Sequence, residues 1–339
     1  MNPAVNVLFA AILAALAVPT LADNRTGDSS EELLANYKAM QAKDRRLQAI
    51  GWTLARGNAR FCENSRLSIG ITLVDMAGFR QPAEMRRALG LEGNFALASV
   101  STREMFTGPE TGQEIIAIDG AAINGWPAKE QFDWQRLKRA HDAIDAALDS
   151  KGAVQFTYRD GTMATLRGAR VCTTRFELKS DGKKALADGT RVQFGSDFPG
   201  FAYAESEFAA VIAHELAHNL LEHRKWLDAN GRKRRNVRAT EREADRLMPW
   251  LLANAGYDPM AAVRFMERWG PKHSKGIFRA RTHEGWDERA ENIEAEAKLV
   301  LARRYGGDTA ESAMDWSTDF RREIEPLNEP ETVPETASD

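Results

Sequence analysis

Two histidines and a glutamate stand close together in the middle of the chain, in the order H-E-x-x-H. They are His214, Glu215 and His218, and they lie in an apolar stretch from Phe208 to Leu221. On an α-helix, residues four apart differ by only about 40° in direction, so both imidazoles can bind one metal ion. Glu215 follows about 100° round the helix, where its carboxylate can take a proton from a metal-bound water. The stretch predicts a hydrolytic metal site on a buried helix.

A catalytic zinc site needs a third protein ligand and one open position for water. Glu241, in the next predicted helix, is the ligand that the spacing favours. Asp245 lies one turn further on, where a carboxylate can accept the free ring N–H of a ligand histidine and hold its tautomer. Glu243 is the rival ligand, and both glutamates cannot face the ion, because residues two apart differ by about 200°. We predict one Zn²⁺ per chain.

Other candidate side chains are assigned to packing or to the surface. His223 points about 140° away from His218 if the helix is continuous, which predicts a surface or packing role. His141 and His273 have no partner that the sequence suggests, and we interpret them as surface residues. Tyr203 is interpreted as core packing. The tryptophans at helical positions, also more typical of a core than of a substrate platform, are Trp226, Trp250 and Trp269.

Length and composition describe an ordinary globular protein. The 339 residues suffice for two or three domains, and 43% of them are hydrophobic and 28% charged. The net charge of −3 provides no overall field to attract nucleic acid, which we exclude as a partner. The basic cluster from Gly231 to Arg235 is interpreted as a solvated loop between helices rather than as a site for an acidic partner or a membrane.

The N-terminus carries an export segment. Val5 to Val18 is almost wholly apolar and is followed by a small-x-small triplet ending at Ala22, which predicts a signal peptide cleaved there. The alternative is a retained anchor with membrane association, although the run is shorter than the roughly 20 residues of a spanning helix. We therefore expect a periplasmic or secreted protein. In that compartment Cys62 and Cys172 form a disulfide bridge or remain two buried thiols.

The elements that must position the metal-binding residues form an α+β chain. A helix is predicted from Ser29 to Gly57, and a helix stopped by Gly256 carries Glu241 at its start. Beyond Glu323, proline and acidic residues dominate and cannot form a core. The predicted segments are a signal peptide (1–22), an N-terminal helix (23–60), a β-rich domain (61–171), a metal-binding domain (172–322) and a disordered acidic tail (323–339).

The β-rich segment contains short strands separated by Asp-Gly turns. Its stretch from Gly112 to Asn124 and its later hairpin from Val154 to Gly161 resemble the PDZ domains of exported bacterial proteases. The resemblance implies peptide binding by strand addition, to peptide termini or partner proteins. The alternative is a module that only braces the next domain. The predicted elements are strands at Ser68–Val74, Phe95–Val100, Glu114–Ile118 and Ala153–Tyr158 and a helix at about Gln131–Leu148.

Three ordered motifs carry a second resemblance: H-E-L-A-H from His214, E-x-x-A-D from Glu241 and G-Y-D-P from Gly256. Their order is similar to that of the HtpX/BepA-like zinc endopeptidases, family forty-eight of the metallopeptidases, within the gluzincins. The resemblance covers about residues 172–305. It implies a mainly helical gluzincin-type protease domain with a small edge sheet, Glu241 as third ligand, and protein or peptide substrates.

Two weaker matches concern the substrate. The segment from Ala185 to Gly189 is similar to the family's stretch before the metal-binding helix, with Lys184 in place of its Asn, and implies that Thr190–Phe194 is an edge strand for substrate. His283, followed by Arg289, is similar to the family's late T-H-P…R segment, with Glu in place of the Pro. His283 is thereby implied near the metal, as a gating ligand or an oxyanion stabiliser, and Arg289 beside it.

Together these features predict an exported zinc endopeptidase, with a family-implied role in envelope protein quality control. Zinc held by two imidazoles and one carboxylate lowers the pKa of its water toward about 7. Glu215 then takes the proton and passes it to the leaving amine. The alternative is a binding or chaperone-like protein with an idle or gated metal site. The sequence leaves the substrate and the oligomeric state open.

Overall fold

The computed structural model of this 339-residue chain describes residues 30–101, 109–129, 132–273, 285–306 and 314–327. Both helices and strands are abundant in these ranges, so the predicted α+β class is confirmed. The predicted signal peptide, His283 and the residues after 327 lie outside them. None of the helices in these ranges is long and apolar enough to cross a membrane.

The described part of the chain has a strand-rich first half and a helix-rich second half. The helices are α1 (Ser30–Gly57), α2 (Pro82–Ala88), α3 (Gln135–Lys151), α4 (Glu205–Leu220), α5 (His223–Asn230), α6 (Arg234–Asn254), α7 (Ala261–His273), α8 (Trp286–Gly306) and α9 (Trp316–Asp319). The strands are β1 (Ser65–Ser68), β2 (Ile71–Asp75), β3 (Phe95–Val100), β4 (Glu114–Ile118), β5 (Ala121–Ala122), β6 (Ala153–Tyr158), β7 (Met163–Arg167), β8 (Ala169–Cys172), β9 (Arg175–Lys179), β10 (Ala185–Ala187) and β11 (Arg191–Gly195).

Helix α1 joins the two halves, which confirms its predicted packing role. Its inner face buries Leu54 completely in the core of the helical half. The Gln41 side chain donates to the carbonyl of Ala98 in the β-rich half (3.3 Å), and that of Gln48 donates to the carbonyl of Phe176 in the other (2.8 Å). One helix therefore braces both parts of the chain.

The β-rich half is a six-stranded sheet in the order β2-β3-β4-β6-β7, with β5 paired to β4. The predicted strands β3, β4 and β6 are confirmed with the bounds given above. The strand predicted from Ser68 to Val74 is instead divided between β1 and β2. Gly70 lies between them with φ +64°, a left-handed conformation that interrupts an extended chain.

Helix α3 covers the core of this sheet and corresponds to the helix predicted from about Gln131. It begins later because the carboxylate of Asp133 accepts the N–H of Gln135 (2.9 Å) at the first turn. His141 of this helix is not the surface residue that we predicted. It is partly buried, and its Nε2 lies 3.5 Å from the N–H of Leu73, which can donate to it.

Cys62 and Cys172 form a disulfide bridge, the first of the two alternatives that the sequence left open. Their Cα atoms lie 5.5 Å apart across 110 residues of sequence, a normal spacing for a bridge. The bridge closes the β-rich half into one loop and fixes both of its ends to the helical half, where Cys172 is fully buried.

Replacing both cysteines by alanine is expected to lower the free energy of unfolding by about 2–4 kcal/mol, because the bridge restricts a long loop of the unfolded chain. Urea denaturation followed by circular dichroism measures the change. Reductant should destabilise the wild type to a similar degree and leave the double variant unaffected. Equal midpoints of the wild type with and without reductant would contradict this role.

A three-stranded sheet precedes helix α4, in the order β10-β11-β9. Strand β11 covers the stretch Thr190–Phe194 that was predicted to be the substrate edge, and that prediction is wrong. The strand pairs with β9 on one side and β10 on the other, so its backbone groups are already used. Strand β10 is at the edge. Asn219 of α4 accepts the N–H of Gly189 (2.7 Å) and ties the turn after β10 to the helix.

Helices α4, α6, α7 and α8 form the second half around one core. Trp250 is fully buried there and Tyr203 and Trp269 pack against the same core, as predicted. Helix α6 begins at Arg234, not at Glu241, so the basic cluster forms its first turn as well as the loop before it. Arginine and lysine are good helix formers, and Gly231 (φ +84°) already ends the preceding helix.

The segment from Glu323 was predicted to be a disordered tail, and for its first residues this is wrong. Ile324 is buried, with 7% of its surface exposed. The backbone N–H groups of Glu323 and Ile324 both donate to the carboxylate of Glu243 on α6. The buried side chain of Ile324 and the carboxylate of Glu243 hold this stretch against the helices.

Candidate metal centre

His214 and His218 lie on α4, a helix that is buried along most of its length. Phe208 and Leu216 are fully buried because α4 packs against α6 and α7. The four-residue spacing puts both imidazoles on one face, as predicted. Their Nε2 atoms lie 3.2 Å apart and point to the same place.

Helix α6 brings the carboxylate of Glu241 to that place. Its Oε2 lies 3.5 Å from Nε2 of His214, and its Oε1 lies 3.5 Å from Nε2 of His218. One ligand atom from each of the three residues lies within 4.8 Å of the others. Glu241 therefore stands where the predicted third ligand should be.

The outer nitrogen of His214 faces a carboxylate. Its Nδ1 lies 3.1 Å from Oδ1 of Asp245, which is buried and held by two hydrogen bonds from Arg289 (2.6 and 2.9 Å). Burial alone would lower the pKa of His214, but Asp245 and Glu241 raise it to about 10. Asp245 and Arg289 thus occupy the supporting positions that the sequence suggested.

The outer nitrogen of His218 faces His223, which in turn faces Glu243. The two Nδ1 atoms are 2.9 Å apart, and Nε2 of His223 is 3.1 Å from Oε2 of Glu243. Burial would raise the pKa of Glu243, but hydrogen bonds from His223 and Arg322 lower it, so this carboxylate is ionised. An ionised carboxylate only accepts hydrogen bonds, so His223 carries a proton on Nε2. Burial lowers the pKa of His223 and favours the neutral ring, whose Nδ1 then accepts a hydrogen bond from His218.

His223 therefore takes the packing role of the two that were predicted for it, and Glu243, the rival of Glu241, does not join the cluster. His223 is 1% exposed and is not a surface residue. The estimate from a continuous helix fails because Glu222 adopts φ +53°, which ends α4 and turns the chain back. Glu243 is not a ligand, because its carboxylate is bound by His223 and Arg322. The only feature of the sequence that could have indicated this contact is a third histidine, His223, five positions after His218.

Three acceptors converge at the centre of the cluster. When both rings are neutral and carry their proton on the outer nitrogen, the Nε2 atoms of His214 and His218 carry lone pairs. They meet each other and the carboxylate of Glu241 at 3.2–3.5 Å. Such an arrangement is repulsive unless a cation or a proton lies among the three atoms.

Zinc fits this cluster. Tetrahedral ligands at a Zn–N distance of about 2.0–2.1 Å are about 3.3 Å apart, and the observed separations are 3.2, 3.5 and 3.5 Å. Two neutral imidazoles and one carboxylate are a ligand set that hydrolytic zinc uses, with one position left for water.

Glu215 lies beside the cluster, between the two histidines in sequence. Burial raises the pKa of its carboxyl to about 7, the range that suits a general base at neutral pH. The backbone N–H of Ala187 in strand β10 faces this carboxylate and counteracts part of the rise in its pKa. The candidate base is thus linked to the edge strand.

Replacing Asp245 by Asn is expected to weaken zinc binding by about 10- to 100-fold, because His214 loses an anionic acceptor and Arg289 its partner. Competition with a chromophoric chelator measures the affinity. Asp228→Asn, an exposed change on α5, is the matched control and should bind zinc like the wild type. Unchanged affinity in Asp245→Asn would show that this carboxylate does not support the ligand.

His283 lies outside the described residues, so its predicted place near the metal stays a prediction. The side chain of His273, which was predicted to lie at the surface, is also outside the described part of the structure, so that prediction stays untested.

Comparisons of this chain with models of protein families, with curated proteins and with solved structures found no match. The case for a function therefore depends on the geometry of the site and on the motifs.

Proposed function

We propose that this chain is an exported zinc-dependent endopeptidase of the gluzincin type, similar to the HtpX/BepA-like enzymes, that cleaves protein substrates. The observation that carries the proposal is the convergence of acceptor atoms from His214, His218 and Glu241 beside the carboxylate of Glu215. These residue types are the ones that hydrolytic zinc sites use. A role in envelope protein quality control is the part of the proposal that depends on the resemblance alone.

When bound, zinc would polarise the peptide carbonyl and lower the pKa of a water molecule. Glu215 accepts the proton of that water as it attacks the carbonyl, and then delivers it to the leaving amine. The N–H of Ala187 faces the carboxylate of Glu215 and favours its ionised form. Asp245, supported by Arg289, fixes the ring of His214 with its inner nitrogen toward the cluster.

An extended substrate would pair with strand β10. The N–H of Gly195 donates to the carbonyl of Lys184 and the N–H of Asp188 to that of Arg191, so alternate residues of this segment face β11. Ala185 and Ala187 therefore turn their backbone groups to the open edge. The N–H of Ala187 faces Glu215, so a strand added here would pass beside the general base.

The disulfide bridge supports the exported location, because such bridges persist in oxidising compartments. We propose a PDZ-like role for the β-rich half, supported by a cavity of about 220 Å³ between edge strand β2 and helix α3. Trp52 of α1 and Phe176 of β9 also line this cavity. The alternative role of this module is to brace the helical half.

Cleavage of a reduced, unfolded protein substrate tests the proposed function. The full chain loaded with one zinc should cleave it; a strong chelator should abolish cleavage, and added Zn²⁺ should restore it, because the base has no activated water without the metal. Gel analysis and metal determination on the same sample measure both. A protein that binds zinc and cleaves nothing would favour the binding or chaperone-like alternative.

A further inference from the structure

His218 reaches its supporting carboxylate through a second histidine. His214 touches Asp245 directly at 3.1 Å, whereas His218 contacts His223 at 2.9 Å, and His223 contacts Glu243 at 3.1 Å. Both His223 and Glu243 are almost completely buried, with 1% and 0% exposed. No water competes for these nitrogens, so the protein side chains decide which ring atom carries the proton.

With His223 neutral, one arrangement of the protons satisfies every member of this chain. Glu243 only accepts, so His223 donates from Nε2 and accepts at Nδ1. His218 must then donate from Nδ1, which leaves its Nε2 with a lone pair toward Glu241 and His214. The arrangement selects the tautomer that a metal needs at Nε2.

Glu243 is itself held by the C-terminal part of the chain. Arg322 donates from Nε to both carboxylate oxygens (3.1 and 3.0 Å), and the backbone N–H of Ile324 donates to Oε1 (3.0 Å). The N–H of Glu323 contacts the same oxygen. A second guanidinium N–H of Arg322 donates to the carbonyl of Leu221, near the turn that redirects His223.

We propose that His223 and Glu243, held by Arg322, are positioning residues that fix the ring of His218 for the metal. The C-terminal segment thereby becomes part of the metal site, although Arg322 lies far from the ligands in sequence. This inference rests on the proposed zinc site, and it assigns to His218 the support that Asp245 and Arg289 supply to His214.

Zinc affinity of the full chain tests the inference independently of cleavage. His223→Leu removes both hydrogen bonds and should weaken zinc binding by about 10- to 100-fold. His223→Gln keeps one acceptor and one donor and should recover most of the affinity. Glu243→Gln should also weaken it. Competition with a chromophoric chelator gives the affinity, and circular dichroism shows that each variant is folded.

Arg322→Ala is a second test, and it leaves His223 and Glu243 themselves unchanged. It should weaken zinc binding by about ten-fold. Arg321→Ala is the matched control: the neighbouring side chain is exposed, and the affinity should stay at the wild-type value. Visible absorption of the Co²⁺-loaded proteins should shift in His223→Leu and Arg322→Ala but not in Arg321→Ala, which a purely structural role would not produce.

The outcomes separate the two proposals. Wild type that binds zinc but cleaves nothing rejects the peptidase, while the affinities of the variants still decide this inference. Wild-type zinc affinity and an unshifted Co²⁺ spectrum in both His223→Leu and Arg322→Ala overturn the positioning role and leave the peptidase intact. Absence of zinc binding by the wild type overturns both.

Discussion

Glu215→Gln is expected to lower kcat/KM for protein cleavage by about 10²- to 10⁴-fold while the protein still binds one zinc per chain. Glutamine has nearly the same shape but cannot take up the proton of the attacking water. Glu215 is not among the three side chains whose ligand atoms converge, so the metal should remain. Because the base acts in the transition state, the loss should appear in kcat. Steady-state cleavage of a labelled unfolded protein, with metal analysis, measures both.

Glu205→Gln is the matched control for this variant. It makes the same chemical change on the same helix, at an exposed position in the first turn. We expect wild-type cleavage and wild-type zinc content. If Glu215→Gln bound zinc and cleaved at the wild-type rate, the general-base role would be wrong.

Glu241→Ala is expected to abolish stable zinc binding, with a loss greater than the about 10- to 100-fold typical of residues outside the ligand set. The carboxylate is the only anionic member of the three converging groups, and each of its oxygens lies 3.5 Å from a histidine Nε2. Without it, two neutral imidazoles remain, and cleavage should disappear with the metal. Dialysis against a weak chelator followed by elemental analysis measures the zinc that is retained.

Glu243→Gln distinguishes a metal ligand from a residue that supports a ligand, because Glu243 lies on the same helix as Glu241. Its zinc affinity should fall between those of the wild type and Glu241→Ala, because Glu243 acts through His223. Stoichiometric zinc in Glu241→Ala after dialysis would instead remove Glu241 from the ligand set.

The pairing of His214 with His218, and the position of Glu215 beside them, were predictable from the sequence. All three lie within one helical turn or little more, and the helix period alone determines their relative directions. The strands β3, β4 and β6 were predictable for a similar reason, since alternation and flanking turns are local properties. The resemblance to zinc endopeptidases pointed to Glu241, and the sequence kept Glu243 as its rival.

Contacts between distant segments depended on the tertiary structure. Strand order decided that β10, and not β11, is the edge, and no local pattern contains that order. The packing of α4 on α6 decided between Glu241 and Glu243. The left-handed conformation of Glu222, rare for a residue other than glycine, brought His223 back onto His218.

The H-E-x-x-H stretch by itself therefore predicted two of the three proposed ligands and the proposed base. The stretch contains none of the side chains that support them, although later motifs in the sequence pointed to Asp245 and Arg289. Asp245 and Arg289 behind His214, and His223, Glu243 and Arg322 behind His218, come from four separate parts of the chain. Helical spacing is encoded by neighbouring residues, whereas support of a buried ligand depends on which elements pack against it, and only the folded chain decides that.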